Sequence, residues 1–522
     1  MPPQLAVALV VLTSAAVLVL EVLVSRLVAP FVGLTLETYT AAIGVALAAI
    51  AGGAALGGRL ADAVDPRRWL GPAVAVGGAL LLGARPTVFA FGESFRGQGP
   101  IGTVILVLVA VAPSALVLST VTPGVVKLRL RTLAETGQTV GRLSAAGTLG
   151  ALAGTFLTGF VLLSAFPTST LLLLTGMVLV VIGLVVTVVL PRIPSRVPVA
   201  GIMVLTVLTG GALLIGASPC QVETRYYCAS VIPDPARAGG RTLMLDGLRH
   251  SYVDLKNPAY LEFAYAQRFA DALAQQPAGP LDVLHLGGGG FTLPRHLAAV
   301  RPGSHSVVLE VDPQIPVIGR ERLGLVTGPD LVVKIGDART AITEEPKGAY
   351  DVVFGDAFGS LAVPWHLTTK EMVDQVRRVL RPGGVYILNV IDYPPLDFAR
   401  AETATLLDSF VDVAVMAVQG TLAGQRGGNL VLVASDRPLP VDALLRRAGA
   451  RGEPASVIGR AEAKRFAGGA QVLTDDNAPV DQLLTPYTPP RVLAGRASDS
   501  GSPKAGLSKA GLYDETLRTA VR

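Results

Sequence analysis

Four successive apolar runs in the second half of the chain end in groups that suit a nucleoside. The run Leu284-His-Leu-Gly-Gly-Gly-Gly290 closes on glycines, which turn tightly and let backbone N–H groups approach a ligand. Glu310 ends the next run, with Asp312 two residues on; an acidic residue about 20 positions past a glycine loop suits ribose hydroxyls. Gly336-Asp-Ala338 follows the third run, and Asp337 could accept from an exocyclic adenine amine; Asp356 follows the fourth. Taken singly, each carboxylate is equally an N-cap or a solvated loop residue. Their recurrence at one end of successive runs makes Gly287, Gly288, Gly289, Glu310, Asp337 and Ala338 candidates for nucleoside binding.

The elements that would position them are strand-like runs at 283–286, 307–311, 331–335, 352–354, 385–390, 411–418 and 430–433, alternating with helical stretches. This is the pattern of a parallel, doubly wound sheet, which binds ligands at the carboxyl ends of its strands near the switch in strand order. Ahead of it, short alternating runs at 223–231, 241–246 and 250–254 predict a small β meander, and 260–274 a helix.

The first half has a different composition. Up to Gly216 there are 12 Lys and Arg against 6 Asp and Glu, leaving 32 against 33 for the rest. The positive excess therefore belongs to an apolar region, and a nucleic-acid partner is not expected. Seven spans are read near 5–30, 36–58, 69–92, 101–122, 143–166, 168–190 and 198–217, each roughly long enough to cross about 30 Å of hydrocarbon. No basic n-region precedes the first span and no small-residue cleavage site follows it, so it reads as a retained helix. Basic residues flank the second, fourth and sixth connections (Arg59, Arg67, Arg68; Lys127, Arg129, Arg131, Arg142; Arg192, Arg196), and the alternate ones carry little beyond Arg85 and Arg96. By the positive-inside rule the N-terminus is cytoplasmic and the region from Ser218 is outside, in a multi-pass cell-membrane protein whose partner is the lipid bilayer. Cys220 and Cys228 are the only cysteines; outside the cytoplasm they could close a disulfide, and inside they would be free thiols. In the first span Glu21 and Arg26 read as a structural ion pair or packing feature, and Gly52-Gly53 and Gly57-Gly58 as helix contacts.

The pieces Glu223-Thr-Arg-Tyr-Tyr227, Leu243-Met-Leu-Asp-Gly247, Tyr260-Leu-Glu262, the glycine loop, Leu309-Glu-Val-Asp-Pro313, Gly336-Asp-Ala338, Tyr350-Asp-Val-Val-Phe-Gly-Asp356 and Leu380-Arg-Pro-Gly-Gly384 occur in order over roughly 210 residues. This region resembles the spermidine synthase (polyamine aminopropyltransferase) family, whose fold is that of nucleoside-dependent methyltransferases. With its membrane half the chain looks like the membrane-fused spermidine synthase-like proteins of bacteria. The resemblance implies an aminopropyltransferase whose co-substrate is decarboxylated S-adenosylmethionine and whose partner is a polyamine-like amine. It also implies Asp356 as general base, Glu310 as ribose ligand, Asp337 and Ala338 as adenine contacts, and Tyr226, Asp246, His250, Asp254 and Tyr260 toward the amine. No tightly bound cofactor and no metal are expected; a homodimer is compatible with the reading.

The departures concentrate in the amine half. The aspartate of the family's glycine loop is replaced by Gly290 or Phe291, and the second carboxylate after the fourth strand is missing from Asp356-Ala-Phe-Gly359. The glutamines expected after the Tyr and after Leu-Asp-Gly are Tyr227 and His250, and the His after Tyr260 is Leu261. A second reading therefore stands beside the enzyme: a catalytically altered amine- or nucleoside-binding module coupled to a transporter-like bundle. Gly57-Gly-Arg-Leu-Ala-Asp62 looks like a major facilitator loop, although seven spans fall short of the usual twelve. The expected domains are a membrane unit over 1–217, the β region over 218–258, a Rossmann-like domain over 259–490 and a flexible tail over 491–522. Leu473-Thr-Asp-Asp-Asn477 is read as a turn across the site or a helix start, and His296, His305 and His366 as surface residues.

Overall fold

The computed structural model describes residues 1–33, 35–96, 98–130, 132, 135–190, 199–215, 220–357, 363–451 and 455–485. The expected tail over 491–522 lies outside the described residues, as do Arg192 and Arg196.

Five helical stretches, Pro3–Val32, Leu36–Ala63, Gly99–Arg129, Thr136–Ala165 and Thr168–Val189, are long and apolar enough to cross a membrane. The expected third span is instead a pair, Leu70–Leu82 and Ala84–Phe95, bent by 43°. Gly83 lies at the break and Pro86 just beyond it, where the missing N–H cannot continue the ladder of the preceding turn. The expected seventh span is a helix of 17 residues, Val199–Ile215, short of the ~20 that a perpendicular crossing takes. Small residues set the helix spacing. A Cβ on Gly53 would lie 2.3 Å from the Leu116 carbonyl oxygen and one on Gly57 2.6 Å from Thr120, whereas Gly58 faces open space. Of the two glycine pairs, one member each makes the close contact. Glu21 and Arg26 form no ion pair; five positions apart, they lie on different helix faces. Arg26 instead donates to the Thr224 carbonyl at 3.4 Å.

The remaining chain forms two sheets. The strands β1 (Val222–Glu223), β2 (Cys228–Pro233), β3 (Gly240–Leu245) and β4 (Leu248–Asp254) pair antiparallel in that order, the expected meander. β3 and β4 are joined by Asp246-Gly247, both at positive φ (50° and 77°), the geometry that a two-residue type I′ hairpin turn requires.

The larger sheet comprises β5 (Asp282–Leu286), β6 (His305–Glu310), β7 (Leu331–Ile335), β8 (Tyr350–Gly355), β9 (Leu380–Asp392), β10 (Asp412–Val418), β11 (Gly428–Ser435) and β12 (Ala455–Ile458). Their order is β12-β10-β11-β9-β8-β5-β6-β7. β5 to β9 are parallel, but β11 runs antiparallel to both β9 and β10, and β12 antiparallel to β10. The sheet is thus mixed, correcting the all-parallel expectation. The segment from β10 to β11 is too short for a crossover helix, so the two strands can only form a hairpin. The apolar sides of β5, β8, β9 and β11 pack on both faces, Phe269, Val283, Phe354 and Val431 on one and Leu284, Val353, Tyr386 and Leu432 on the other.

Contacts fix how the apolar helices meet this domain. Glu223 accepts from the Ser169 N–H and hydroxyl at 3.2 and 3.0 Å and lies 3.6 Å from Arg85. The Leu36 N–H donates to Asp481 at 3.1 Å. At the other end of the helices Lys127 pairs with Asp62 at 2.7 Å and Arg129 donates to the Met1 carbonyl. The basic second and fourth connections therefore gather with the N-terminus, away from the two sheets.

Candidate active site

Strand order reverses between β5 and β8, since β6 and β7 build outward on one side of β5 and β8 and β9 on the other. Loops leaving such neighbours separate and leave a crevice. The cleft at this point is lined by His250, Ser251, Glu262, Tyr265, Gly287, Gly288, Gly289 and Asp356 among others, convergent polar groups of the kind that orient a small molecule.

The glycine loop has little room for side chains. Gly287 has φ 96°, and a Cβ there would lie 2.5 Å from the Asp356 carbonyl oxygen. Gly288 donates its N–H to Glu310 Oε2 at 2.9 Å, and Glu310 Oε1 accepts from the Asp312 N–H at 2.9 Å. Glu310 thus ties the end of β6 to the loop after β5. Burial pushes its carboxyl up, and these backbone donors oppose the shift. Gly290 donates to Ser251 Oγ at 2.9 Å, and a Cβ at Gly290 would meet the Ser251 Cβ at 2.7 Å. Phe291, at φ 55°, is fully buried in the apolar cluster beneath β4 and β6. The position open to the family's aspartate is therefore Gly290, and Ser251 fills the space.

Asp356 sits opposite. Tyr265 donates its hydroxyl to Oδ2 at 3.0 Å, and Asn389, from β9, donates to Oδ1 at 2.9 Å. Asn429 on β11 fixes Asn389 in turn, donating to its Oδ1 at 3.0 Å. Burial raises Asp356 to about 6, against the pull of Asn389 and Tyr265; low dielectric disfavours the charged form and hydrogen bonds restore part of it. Two histidines nearby are kept neutral by burial: His250 is lowered to about 4 and His285 to about 3.

Asp337 lies farther along, at the end of β7. It caps the Ala338–Ala341 helix through the Arg339 N–H at 2.8 Å, and His366 stands 3.0 Å from its other oxygen. His366 holds this carboxyl below its ordinary value, so His366 is a partner of a candidate site residue and not a plain surface group. Leu473-Thr-Asp-Asp-Asn477 packs behind it: Asp475 pairs with Arg339 and accepts from Thr369.

The expected amine residues separate. His250 lines the cleft. Asp246 occupies the β3–β4 turn and accepts from the Cys228 N–H at 2.8 Å, and Tyr226 lies in the turn that Arg26 grips; neither lines the cleft. Tyr260 bonds to Glu262 under the Arg237 guanidinium, 3.6 Å above its ring, and Asp254 pairs with Arg237 at 2.7 Å. Tyr260, in the motif Tyr260-Leu-Glu262, does not reach Asp356; Tyr265, five residues on and on the helix that starts at Ala264, does. Glu262 does reach the cleft and supplies its second carboxylate. Asn389 was legible as an amide inside an apolar strand and was not singled out. Cys220 and Cys228 are joined by a disulfide, with their Cα atoms 4.9 Å apart.

No protein-family model matches the chain. The polyamine aminopropyltransferase of Vibrio vulnificus is 28% identical over 181 residues, 34% of this chain and 58% of that protein. Spermidine synthase 1 of Pisum sativum is 27% identical over 150 residues, 28% of this chain and 43% of that protein. The chain thus spans about half the length of these relatives. The crystal structure of a probable spermidine synthase from Corynebacterium glutamicum aligns at 30% identity and a TM-score of 0.47, covering 49% of this chain and 95% of that one. These likenesses support a spermidine synthase-like domain in this chain.

Proposed function

We propose that this chain is a membrane-anchored aminopropyltransferase-like enzyme, which moves an aminopropyl group from decarboxylated S-adenosylmethionine to a small amine. The observation that carries the reading is the Asp356 carboxylate, held by Tyr265 and Asn389 at the switch point and facing the glycine loop. In this reading Glu310 takes the ribose hydroxyls, Asp337 and Ala338 the adenine edge, and Gly287 to Gly289 the close approach of the donor. The amine nitrogen attacks the carbon beside the sulfonium; the C–N bond forms, the C–S bond breaks, and its electron pair returns to sulfur. Asp356 takes the ammonium proton, a role that its raised pKa fits at neutral pH. Glu262 and the neutral His250 orient the acceptor.

Residues 1–217 act as the anchor, 218–258 as the β region bracing the glycine loop and 259–490 as the catalytic domain. Two features support an extracytoplasmic placement of this domain: the Cys220–Cys228 disulfide, and the basic connections at the opposite end of the bundle.

The test is incubation of the purified full chain with labelled decarboxylated S-adenosylmethionine and a panel of polyamines. Transfer that Asp356→Asn abolishes is expected. Amine binding that needs no nucleoside, with no transfer to any amine, would overturn the enzyme in favour of a binding module.

A further inference from the structure

A second cavity lies against the other face of the sheet, between Leu286, Val363, Leu367, Leu388, Val390 and Phe398. Its walls are hydrocarbon, and Glu402, from the helix Asp397–Ser409, projects into them. Glu402 is fully buried, and neither carboxylate oxygen has a hydrogen-bond partner among the described residues. Leaving such a group unpaired is costly, and native folds rarely do it without a ligand or a function. Of the other polar side chains there, Asn389 donates to Asp356 and accepts from Asn429, and Thr368 donates to the Trp365 carbonyl, while Tyr386 lines the cavity near Glu402.

We propose that this cavity is a binding site for a primary alkylammonium ion, with the ammonium on the Glu402 carboxylate and a short hydrocarbon chain along the apolar walls. A carboxylate offers up to four acceptor positions to the three N–H donors of an ammonium, and the apolar walls suit methylene groups. Glu402 meets no countercharge: burial is the cause that drives its carboxyl far above the ordinary range. Burial favours the protonated carboxyl, and in this proposal an arriving ammonium displaces that proton to solvent as the ion pair forms. The site does not depend on the transfer reaction, and it lies across the sheet from the cleft that contains Asp356.

Isothermal titration of the full chain in lipid nanodiscs with n-butylammonium chloride, in buffers of differing ionisation enthalpy, tests this. An Asp356→Asn, Glu262→Gln background removes both cleft carboxylates from the comparison. One saturable site with release of close to one proton near neutral pH is expected. Glu402→Gln should abolish the proton release and weaken binding roughly 10- to 100-fold, the worth of a charge-assisted contact. Glu402→Leu, which replaces the unpaired carboxyl with hydrocarbon, should do the same with a raised Tm, and it carries the comparison if the Gln variant does not fold. Saturable binding without proton release, equal affinity in the variants, no saturable binding, or equally tight binding of n-butanol would each overturn the site.

Discussion

Tyr265→Phe removes one hydroxyl and nothing else. The ring stays packed between Phe263 and Phe269, with centroids 6.0 and 5.9 Å away, so the fold is unaffected. Asp356 loses a donor at 3.0 Å, which stabilises its ionised form and leaves the protonated form nearly indifferent. A hydrogen bond to a charged group contributes about 1.5–3 kcal/mol, and each pKa unit corresponds to about 1.4 kcal/mol. The carboxyl should therefore rise by about 1–2 units from its starting value of about 6. Only the ionised form accepts a proton, so the acid limb of kcat/KM should move from about 6 to roughly 7–8, with the alkaline plateau largely kept. The assay is the pH profile of aminopropyl transfer, with the carboxyl infrared band of Asp356 as a readout independent of turnover. An acid limb at an ordinary carboxylate pKa in the parent chain, or one that does not move in Tyr265→Phe, would refute this account of the site.

The same carboxyl gives a stability prediction of unusual sign. Its folded pKa of about 6 exceeds the ordinary 3.8, so its contribution is fully present below 3.8 and is lost as pH rises through about 6. Asp356→Asn should stabilise the chain by up to about 3 kcal/mol near pH 8 and by nothing in acid, as read from denaturation midpoints. Gly287→Ala forces a side chain to φ 96° and into the Asp356 carbonyl; it should abolish nucleoside binding and cost more than about 1 kcal/mol. Replacing Cys220 and Cys228 by serine should lower stability by about 2–3 kcal/mol for so short a loop. In intact cells a membrane-impermeant thiol reagent should label them only after reduction, and labelling that needs opened cells would sink the outside placement. Gly183→Val should disrupt helix packing and lower the Tm in detergent, because a Cβ there lies 2.3 Å from the Ala75 nitrogen; Gly44→Ala, which faces open space, should be tolerated.

What the sequence made legible in the site follows the physics of strand ends. Glycine loops and terminal carboxylates are local features, and Gly287, Glu310, Asp337 and Asp356 all stand at the ends of β5 to β8 as their spacing implies. What it hid depends on long-range pairing. Asn389 and Asn429 matter because β9 and β11 are neighbours, and nothing in either run announces that pairing. His366 reaches Asp337 from 29 residues away. Asp246 and Tyr260 were given to the amine because their motifs matched, yet a hairpin turn claims the first and an arginine covers the second. The strand β12 has only 4 residues and no period to read.

The bundle's charges bear on the choice between anchor and transporter. Arg85 donates to the Leu213 carbonyl at 3.0 Å and pairs with Glu223, and Arg26 holds the Thr224 carbonyl. These arginines, unusual among apolar helices, meet the start of the soluble domain. Several buried hydroxyls turn inward to their own helices: Thr13 donates to the Leu9 carbonyl and Thr187 to that of Gly183, the local back-bonding that satisfies a hydroxyl in an apolar surrounding, whereas Ser114 donates to the Gly77 carbonyl of a neighbouring helix. Polar groups that serve a transport path would face one another or a solvated cavity. Side chains committed to helix backbones and to a docking seam suit a support, and the seam ends at Glu223 and Thr224, between the two disulfide cysteines and at the first strand of the meander whose Ser251 holds Gly290. A charge reversal at Arg85 should therefore loosen the soluble domain, read as faster proteolysis after residue 215, without altering bilayer insertion; unchanged cleavage would show that the seam contributes nothing.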